Sequence, residues 1–314
     1  MTYQTRDTKA QTRGGRVQED EATTPARGAA LARRDRTGLV ALAVPDLEEP
    51  YFAELTGLLV RRAEARGLSI LIQQTAGVHE REVTVANGVG LPPTDGLIHI
   101  PRSLTVADLT RRTSPGPLVL LGEHILSSPF SHVTIDNRAA AMAATLHLVE
   151  RGCRRLAVVG PRHTTPSDAA DRRVAGFRDA VQAQGWEVDS DLVGPVGAFT
   201  SHEGQRAMRT LLDAHEPPDG VLCSNDSVAF GVMRELHVRG LRVPEDVAVV
   251  GIDDVSGAEF ATPSLSSVAP DKSAIVDSAL MLLERQIAAP PAADVPVEQV
   301  VVGFTLRARE STAR

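Results

Sequence analysis

The chain has 314 residues, a net charge of −7, 42% hydrophobic residues and 23% charged residues. This is the composition of a globular protein large enough for two domains or lobes, and it excludes disorder over most of the length. The amino terminus is polar, and no stretch reaches the roughly 18 consecutive apolar residues that a membrane span requires. We therefore expect a cytoplasmic protein that does not interact with membranes.

The charge is unevenly distributed along the chain. The first 36 residues carry eight Lys and Arg against five Asp and Glu, so the rest of the chain has a net charge of −10. An acidic body repels the phosphate backbone of DNA, and contact with nucleic acid would need a separate basic element. Residues 1–36 also contain almost no large apolar side chains, and we expect them to be mobile in isolation.

From Thr37 onward, short apolar runs alternate with amphipathic segments. The apolar run 38–45 is typical of a buried strand, and the apolar residues of 52–66 recur at helical spacing before a second strand at 68–73. The same alternation continues to residue 121 and restarts after Asn137. It predicts an α/β protein with two doubly wound parallel-sheet lobes and a ligand cleft where their strand ends face each other.

The predicted division of the chain follows from this restart and from the late segments. We expect a mobile N-terminal segment with a hinge-like stretch, a first lobe and a second lobe, with these boundaries: 1–36 with the hinge at 25–36, 37–136 plus 268–293, and 137–267 plus 294–310. A single final strand is predicted near 299–306.

Patterns for catalysis or metal binding are absent from the sequence. The two cysteines and nine histidines lack metal-ligand spacing, and no Gly-x-Ser-x-Gly elbow or glycine-rich phosphate loop is present. The adjacent Asp253 and Asp254 project apart in extended structure and make a poor acid/base pair for a sugar-processing enzyme. We therefore expect no catalytic residue, no metal and no cofactor.

Several short motifs resemble those of the lactose/galactose-repressor (LacI/GalR) family, in the same order and at similar intervals. The resemblance covers the chain from about Pro25 to its end, and the motifs occupy 45–55, 133–137, 150–161, 173–177, 224–226, 250–254 and 307–312. It implies a ligand-sensing core similar to periplasmic sugar-binding proteins. It also implies a homodimer in which an effector shifts the angle between the N-terminal lobes.

The resemblance also assigns effector contacts, which map onto Tyr51, Phe52, Arg173, Phe199, Asn225 and Asp253. The chemistry of these residues suits a cleft, because a ring face packs on the apolar side of a sugar or base, and Arg and Asp form charge-assisted hydrogen bonds to hydroxyls. We expect Arg173 and Asp253 to lie in a solvated cleft, although a helical Arg173 is also compatible with a solvated surface.

Alternative roles remain for several of these residues. The helical spacing of Phe52 is equally compatible with a core position, and the same holds for Tyr51. Asn225 precedes a predicted helix and fits an N-cap as well as a ligand contact. Asp253 is favoured over Asp254 as the contact because it follows a strand directly, whereas Asp254 could cap the next turn.

The N-terminal segment departs from the family pattern. Family members usually begin with a helix-turn-helix, but residues 1–24 contain no pair of apolar-periodic helices. The stretch 25–34 resembles the family hinge, in which Leu31, Arg33 and Arg34 would contact the minor groove weakly. Operator DNA is therefore an expected partner only if a DNA-binding head is supplied or is missing from this chain.

The sequence thus predicts the core of a LacI-type transcriptional regulator, without enzymatic activity, that binds a small effector, which we expect to be a sugar. The alternative is a stand-alone cytoplasmic sugar or solute sensor that never contacts DNA.

Overall fold

The computed structural model describes residues 36–122, 125, 128–161, 169–290 and 295–314. The strands are β1 (Leu39–Val44), β2 (Ser69–Gln74), β3 (Gly96–His99), β4 (Leu118–Leu121), β5 (Ser131–Ile135), β6 (Leu156–Pro161), β7 (Val193–Val196), β8 (Gly220–Cys223), β9 (Ala248–Ile252), β10 (Ser266–Pro270), β11 (Gln299–Val302) and β12 (Phe304–Arg307). The helices are α1 (Pro50–Glu64), α2 (His79–Ala86), α3 (Val106–Thr110), α4 (Asn137–Glu150), α5 (Ala169–Ala183), α6 (Ser201–Ala214), α7 (Asp226–Val238), α8 (Ser256–Phe260) and α9 (Lys272–Ala288). Short 3-10 turns lie at Ser190–Leu192 and Glu310–Thr312.

The strands form two six-stranded sheets. The first has the order β11-β5-β4-β3-β1-β2 and is parallel throughout. The second has the order β12-β10-β9-β8-β6-β7 and is parallel except for the β10–β12 pair. We call each sheet with its flanking helices the first and the second lobe. The predicted fold class, two doubly wound parallel-sheet lobes, is confirmed.

Each sheet is covered by helices on both faces, which explains the continuous apolar runs in the strands. In β1 the side chains alternate: Val40 and Leu42 pack with residues of α1 and α9, whereas Ala41 and Ala43 pack with residues of α2 and α3. The second sheet is arranged in the same way, with α6 and α7 on one face and α4 and α5 on the other. The core of each lobe is therefore built mainly from Val, Leu, Ile and Ala.

Within the described residues, the chain passes between the lobes at three short crossovers. At two of these crossovers the chain enters a helix whose first residue is preceded by an aspartate N-cap. Asp136 accepts a hydrogen bond from Ala139 N at the start of α4, and Asp271 accepts one from Ala274 N at the start of α9. The third is Gly303, whose carbonyl accepts the Asp271 N–H at 3.1 Å. The two aspartate N-caps therefore fix the points at which the chain leaves one sheet and begins a helix.

Two predicted boundaries were wrong at these crossovers. The expected single strand at 299–306 is two strands: β11 pairs with β5 in the first sheet, and β12 pairs with β10 in the second. The segment 294–310 therefore does not belong to the second lobe alone. The residues 268–270 extend β10 in the second sheet rather than entering the first lobe. Apolar alternation cannot reveal these assignments, because strand partners are distant in sequence.

The edge strand β7, whose sequence is Val-Gly-Pro-Val, is not predicted by the apolar pattern of the sequence. Glycine and proline are disfavoured in central strands, but an edge strand tolerates them because one side of its backbone makes no ladder hydrogen bonds. Leu31, Arg33 and Arg34, the predicted DNA-hinge residues, lie outside the described residues. Within the described part of the chain, no helix is both long and apolar enough to cross a lipid bilayer.

A buried histidine lies within the first sheet. His99 is the last residue of β3 and is 0% exposed, and neither of its ring nitrogens has a hydrogen-bond partner among the described residues. Burial lowers the pKa of His99 to about 4, and the nearby charge of Glu82 only partly opposes this effect. The imidazole is therefore neutral in the folded protein at physiological pH.

We predict that His99 makes the fold sensitive to acid. Because the histidine pKa is about 6.5 in the unfolded chain, the unfolded state binds more protons below that pH, and stability falls as the pH drops from 6.5 toward 4. By pH 5 this effect should cost about 2 kcal/mol. A His99→Leu variant should lose it. Urea unfolding at several pH values measures the difference between the two proteins, with His202→Leu at an exposed site as the control. A difference that does not change with pH would contradict the prediction.

Candidate functional site

A cleft that is partly open to solvent lies where the carboxyl ends of the parallel strands of the two lobes face each other. The first lobe contributes residues that follow β1, β3, β4 and β5, and the second contributes residues that follow β6, β7, β8 and β9. All six residues predicted as effector contacts line it: Tyr51, Phe52, Arg173, Phe199, Asn225 and Asp253. The structure thus brings together side chains that span some 200 positions of the sequence. Their role as ligand contacts stays a prediction.

Arg173 on α5 joins three elements of the cleft wall. Its Nε donates to Asn137 Oδ1 at 2.7 Å, one terminal nitrogen donates to the carbonyl of Ser224, and the other lies 3.4 Å from Asp253 Oδ1. The Arg173 and Asp253 side chains are only 12% and 8% exposed. They form a buried ion pair in the cleft wall, which is less solvated than the sequence analysis expected.

Asp253 is held in an unusual backbone conformation. Its φ is 112° and that of Asp254 is 46°, both in the region that side chains other than glycine rarely adopt. Burial raises the pKa of Asp253, and the positive charges of Arg173 and Lys272 oppose this rise. Asp254 instead pairs with Arg309 at 2.7 Å and is not among the residues that line the cleft. The two neighbouring carboxylates therefore have different surroundings, and the preference for Asp253 as the ligand contact stays a prediction.

The turn that carries Asp253 is fixed by a buried carboxyl group that the sequence analysis did not select. Asp226 accepts a hydrogen bond from Ser267 Oγ at 2.6 Å and one from Val255 N at 2.9 Å. Burial, and then the charge of Asp253, raise the pKa of Asp226 to about 8. A Cβ atom at Gly251 would overlap the Asp226 carboxylate, so only glycine fits there. Asp226 belongs to the recognised motif Ser-Asn-Asp, but it does not line the cleft. It holds the turn of Asp253 from behind.

Asn225 has the capping role that the sequence analysis left as an alternative. Its Oδ1 accepts the Val228 N–H at 2.8 Å and caps α7. The side chain also lines the cleft, and its Nδ2 group remains chemically able to donate to a ligand. Capping and ligand contact are therefore compatible at this position.

The aromatic residues of the first lobe both pack on the core and line the cleft. The Tyr51 and Phe52 rings meet edge to face with centroids 5.4 Å apart, and both contact the core beneath α1. Burial raises the pKa of the Tyr51 hydroxyl. Tyr51 and Phe52 therefore occupy core positions and line the cleft at the same time. Phe199 reaches the same cleft from the second lobe.

Two charged residues of the cleft were missed. Arg102 follows β3, and one of its terminal nitrogens donates to both carboxylate oxygens of Glu49, at 2.7 and 2.8 Å. Its guanidinium carbon lies 5.2 Å from the Phe52 ring centroid and 5.4 Å from that of Phe199. Burial raises the pKa of Glu49, and the charge of Arg102 opposes this rise. The rule that ligands bind at strand ends would have selected Arg102, and Glu49 lies inside the recognised motif 45–55.

The loop that carries Arg102 is held by a fully buried carboxylate. Glu82 on α2 accepts hydrogen bonds from the backbone N–H groups of Arg102, Ser103 and Leu104 and from the Ser103 hydroxyl, at 2.8 to 2.9 Å. A carboxylate is an acceptor at every lone pair, so it satisfies four converging donors that a neutral amide could not. Glu82 therefore fixes one wall of the cleft.

We predict that Glu82→Gln destabilises the first lobe. The amide NH₂ group would face backbone N–H donors, and buried donors without acceptors should lower the free energy of unfolding by about 2–4 kcal/mol. The matched control is Glu80→Gln, on the same helix but exposed, which should change it by less than about 0.5 kcal/mol. Equal effects in urea denaturation would contradict this role of Glu82.

Two parallel-sheet lobes with a cleft between their strand ends define the class of periplasmic-binding-protein-like domains, and residues 145–312 match the family described as periplasmic binding protein-like domain. The chain is 34% identical over 260 residues to the HTH-type transcriptional regulator CelR of Thermobifida fusca, covering 78% of this chain and 73% of CelR.

Solved structures extend the similarity. A LacI-family transcriptional regulator from Sanguibacter keddieii DSM 10542 has a TM-score of 0.82 and 38% identity, covering 89% of this chain and all of that one. The complex of the transcriptional regulator CelR with cellobiose has a TM-score of 0.75 and 31% identity, covering 93% of this chain and 92% of that one. The chain belongs to the LacI family of transcriptional regulators, as its motifs predicted.

Proposed function

We propose that this chain senses a sugar in the cleft between its lobes, through Tyr51, Phe52, Arg173, Phe199, Asn225 and Asp253, and thereby regulates transcription. The observation that carries the proposal is the convergence of aromatic rings from both lobes on one cleft whose wall contains the Arg173–Asp253 ion pair. Ring faces pack on the apolar face of a sugar, and paired charges orient its hydroxyls through charge-assisted hydrogen bonds.

The similarity to CelR, whose structure contains cellobiose, supports a sugar rather than another small molecule. Within the described residues, no hydrogen bond reaches Oδ2 of Asp253, so this oxygen is able to accept one from a ligand hydroxyl. The effector would then contact both lobes at once. A ligand that binds one arrangement of the lobes more tightly than another shifts the population toward it, and this shift would transmit the signal.

The output of this sensing would be a change in operator binding. The relatives are transcriptional regulators rather than enzymes, which supports a non-catalytic role in the cytoplasm, where DNA is accessible. The acidic body makes a DNA-binding head, with the segment 25–36 as hinge, the expected route to the operator.

We predict that a sugar raises the melting temperature of the protein, because a ligand that binds only the native state stabilises it. A thermal-shift screen of sugars, sugar phosphates, nucleosides and purines identifies the ligand, and calorimetry gives its dissociation constant.

Asp253→Asn should weaken binding about tenfold or more, because one charge-assisted hydrogen bond is lost. This substitution is milder than removing Asp253 entirely, which would leave Arg173 buried without its partner.

The matched control for this experiment is Asp254→Asn, the same change one residue further on, which lies outside the cleft lining. It should leave the dissociation constant unchanged. Sugars that give no shift while nucleosides or purines do would reject the sugar proposal. Equal losses in the two variants would reject the assignment of Asp253 as a contact.

We further propose that the protein acts as a homodimer. The Phe260 side chain at the end of α8 is 82% exposed, a large apolar surface that is costly to leave in water. The α8 helix lies against α7, where a Cβ at Gly257 would lie 3.4 Å from the Phe230 ring, so Phe260 projects from a well-packed surface. Most soluble oligomers of one chain are symmetric dimers, in which such a patch meets its own copy.

Sedimentation velocity tests the dimer. We predict that the wild-type protein is dimeric at micromolar concentration and that Phe260→Asp shifts it to monomer by placing a charge in the apolar contact. Val301→Asp is the control, because Val301 is 64% exposed on the first sheet and gains the same charge. A wild-type protein that sediments only as monomer would exclude the dimer.

A further inference from the structure

Arg102 is positioned by contacts from both lobes. Glu49 accepts two hydrogen bonds from one of its nitrogens, Phe52 of the first lobe lies on one side of the guanidinium, and Phe199 of the second lobe also contacts it. Its backbone is pinned by Glu82. The side chain therefore contributes a positive charge to the cleft at a fixed position.

The charges that line the cleft are balanced. In the described part of the lining, the formally charged residues are Glu49, Arg102, Arg173 and Asp253, two of each sign. Each arginine is paired with a carboxylate, Arg102 with Glu49 at 2.7 Å and Arg173 with Asp253 at 3.4 Å. The side chains of Glu49 and Asp253 are only 14% and 8% exposed. No net positive charge is therefore available to an incoming anion from these four groups.

We propose that the Glu49–Arg102 pair determines the charge selectivity of the site, so that the cleft accepts uncharged sugars and rejects sugar acids and sugar phosphates. The proposal rests on the proposed function in one respect, namely that this cleft is the effector site. Within it, Arg102 is a specificity-determining residue, and Glu49 is the residue that blocks anions.

The physical reason is the cost of separating a buried ion pair. An anion that bound Arg102 would have to displace Glu49, whose carboxylate would then remain in the cleft without its partner. The anion would also face the negative charge of Asp253, which already acts on Glu49 to raise its pKa. An uncharged hydroxyl incurs neither penalty, because it can donate to Glu49 or accept from Arg102 while the pair stays intact.

Removal of the Glu49 charge should therefore turn Arg102 into an anion-binding group. Inorganic phosphate is the probe, because it can be used before the effector is identified and carries the charge that the pair is proposed to reject. Calorimetric titration at pH 7.5 compares the wild-type chain with Glu49→Gln and with the double variant Glu49→Gln/Arg102→Gln. The control is Glu64→Gln, which removes the same charge at the exposed far end of α1.

We expect Glu49→Gln to bind phosphate with a dissociation constant at least tenfold below the wild-type value, the gain of about one charge-assisted hydrogen bond. The double variant should lose this gain, and Glu64→Gln should behave as the wild type does. Thermal unfolding without ligand verifies that each variant folds, and Glu49→Ala removes the same carboxylate should the glutamine variant not fold.

Two results would overturn the proposal. One is a Glu49→Gln protein that binds phosphate no better than the wild type, and the other is a double variant that keeps the gain, which would place the anion elsewhere. The sugar proposal fails independently, through a screen in which no sugar binds the wild type. A phosphate gain that depends on Arg102 would still support the charge selectivity in that case.

Discussion

The buried ion pair between Arg173 and Asp253 is the interaction on which the organisation of the cleft depends. A guanidinium whose side chain is only 12% exposed needs hydrogen bonds in addition to its carboxylate partner. This requirement explains why Asn137 and the Ser224 carbonyl converge on the guanidinium. The start of α4 and the ends of β8 and β9 are thereby held at fixed positions around one side chain. The pair is contained in the second lobe, so this lobe presents a preformed surface to the cleft.

The backbone around Asp253 shows what this arrangement costs. Positive φ values at Asp253 and Asp254 store strain, and a structure retains such strain only where its surroundings fix the geometry. Asp226 provides that constraint through Val255 and Ser267, and it does so as a buried acid whose pKa is raised to about 8. Polar groups behind the cleft thus stabilise the positive-φ conformation of Asp253, which lines the cleft.

The first lobe contributes a different set of groups to the cleft. Its contribution to the cleft is two aromatic rings on α1 and the Glu49–Arg102 pair, and Glu82 holds the backbone of Arg102. Arg102 also contacts Phe199, a residue of the second lobe. This contact spans both lobes, so any change in the spacing of the lobes would alter it.

The sequence by itself determined the fold class through local periodicity. It determined the family, and six of the residues that line the cleft, through the resemblance carried by short motifs such as Ser-Asn-Asp and Gly-Ile-Asp-Asp. It did not determine that 299–307 divides between two sheets, nor that Arg102 meets Glu49 or that Glu82 holds the loop that carries Arg102. The tertiary structure decided these features. Strand partners, ion pairs and burial join residues that are far apart in the chain, and their energies depend on the shared environment rather than on local pattern.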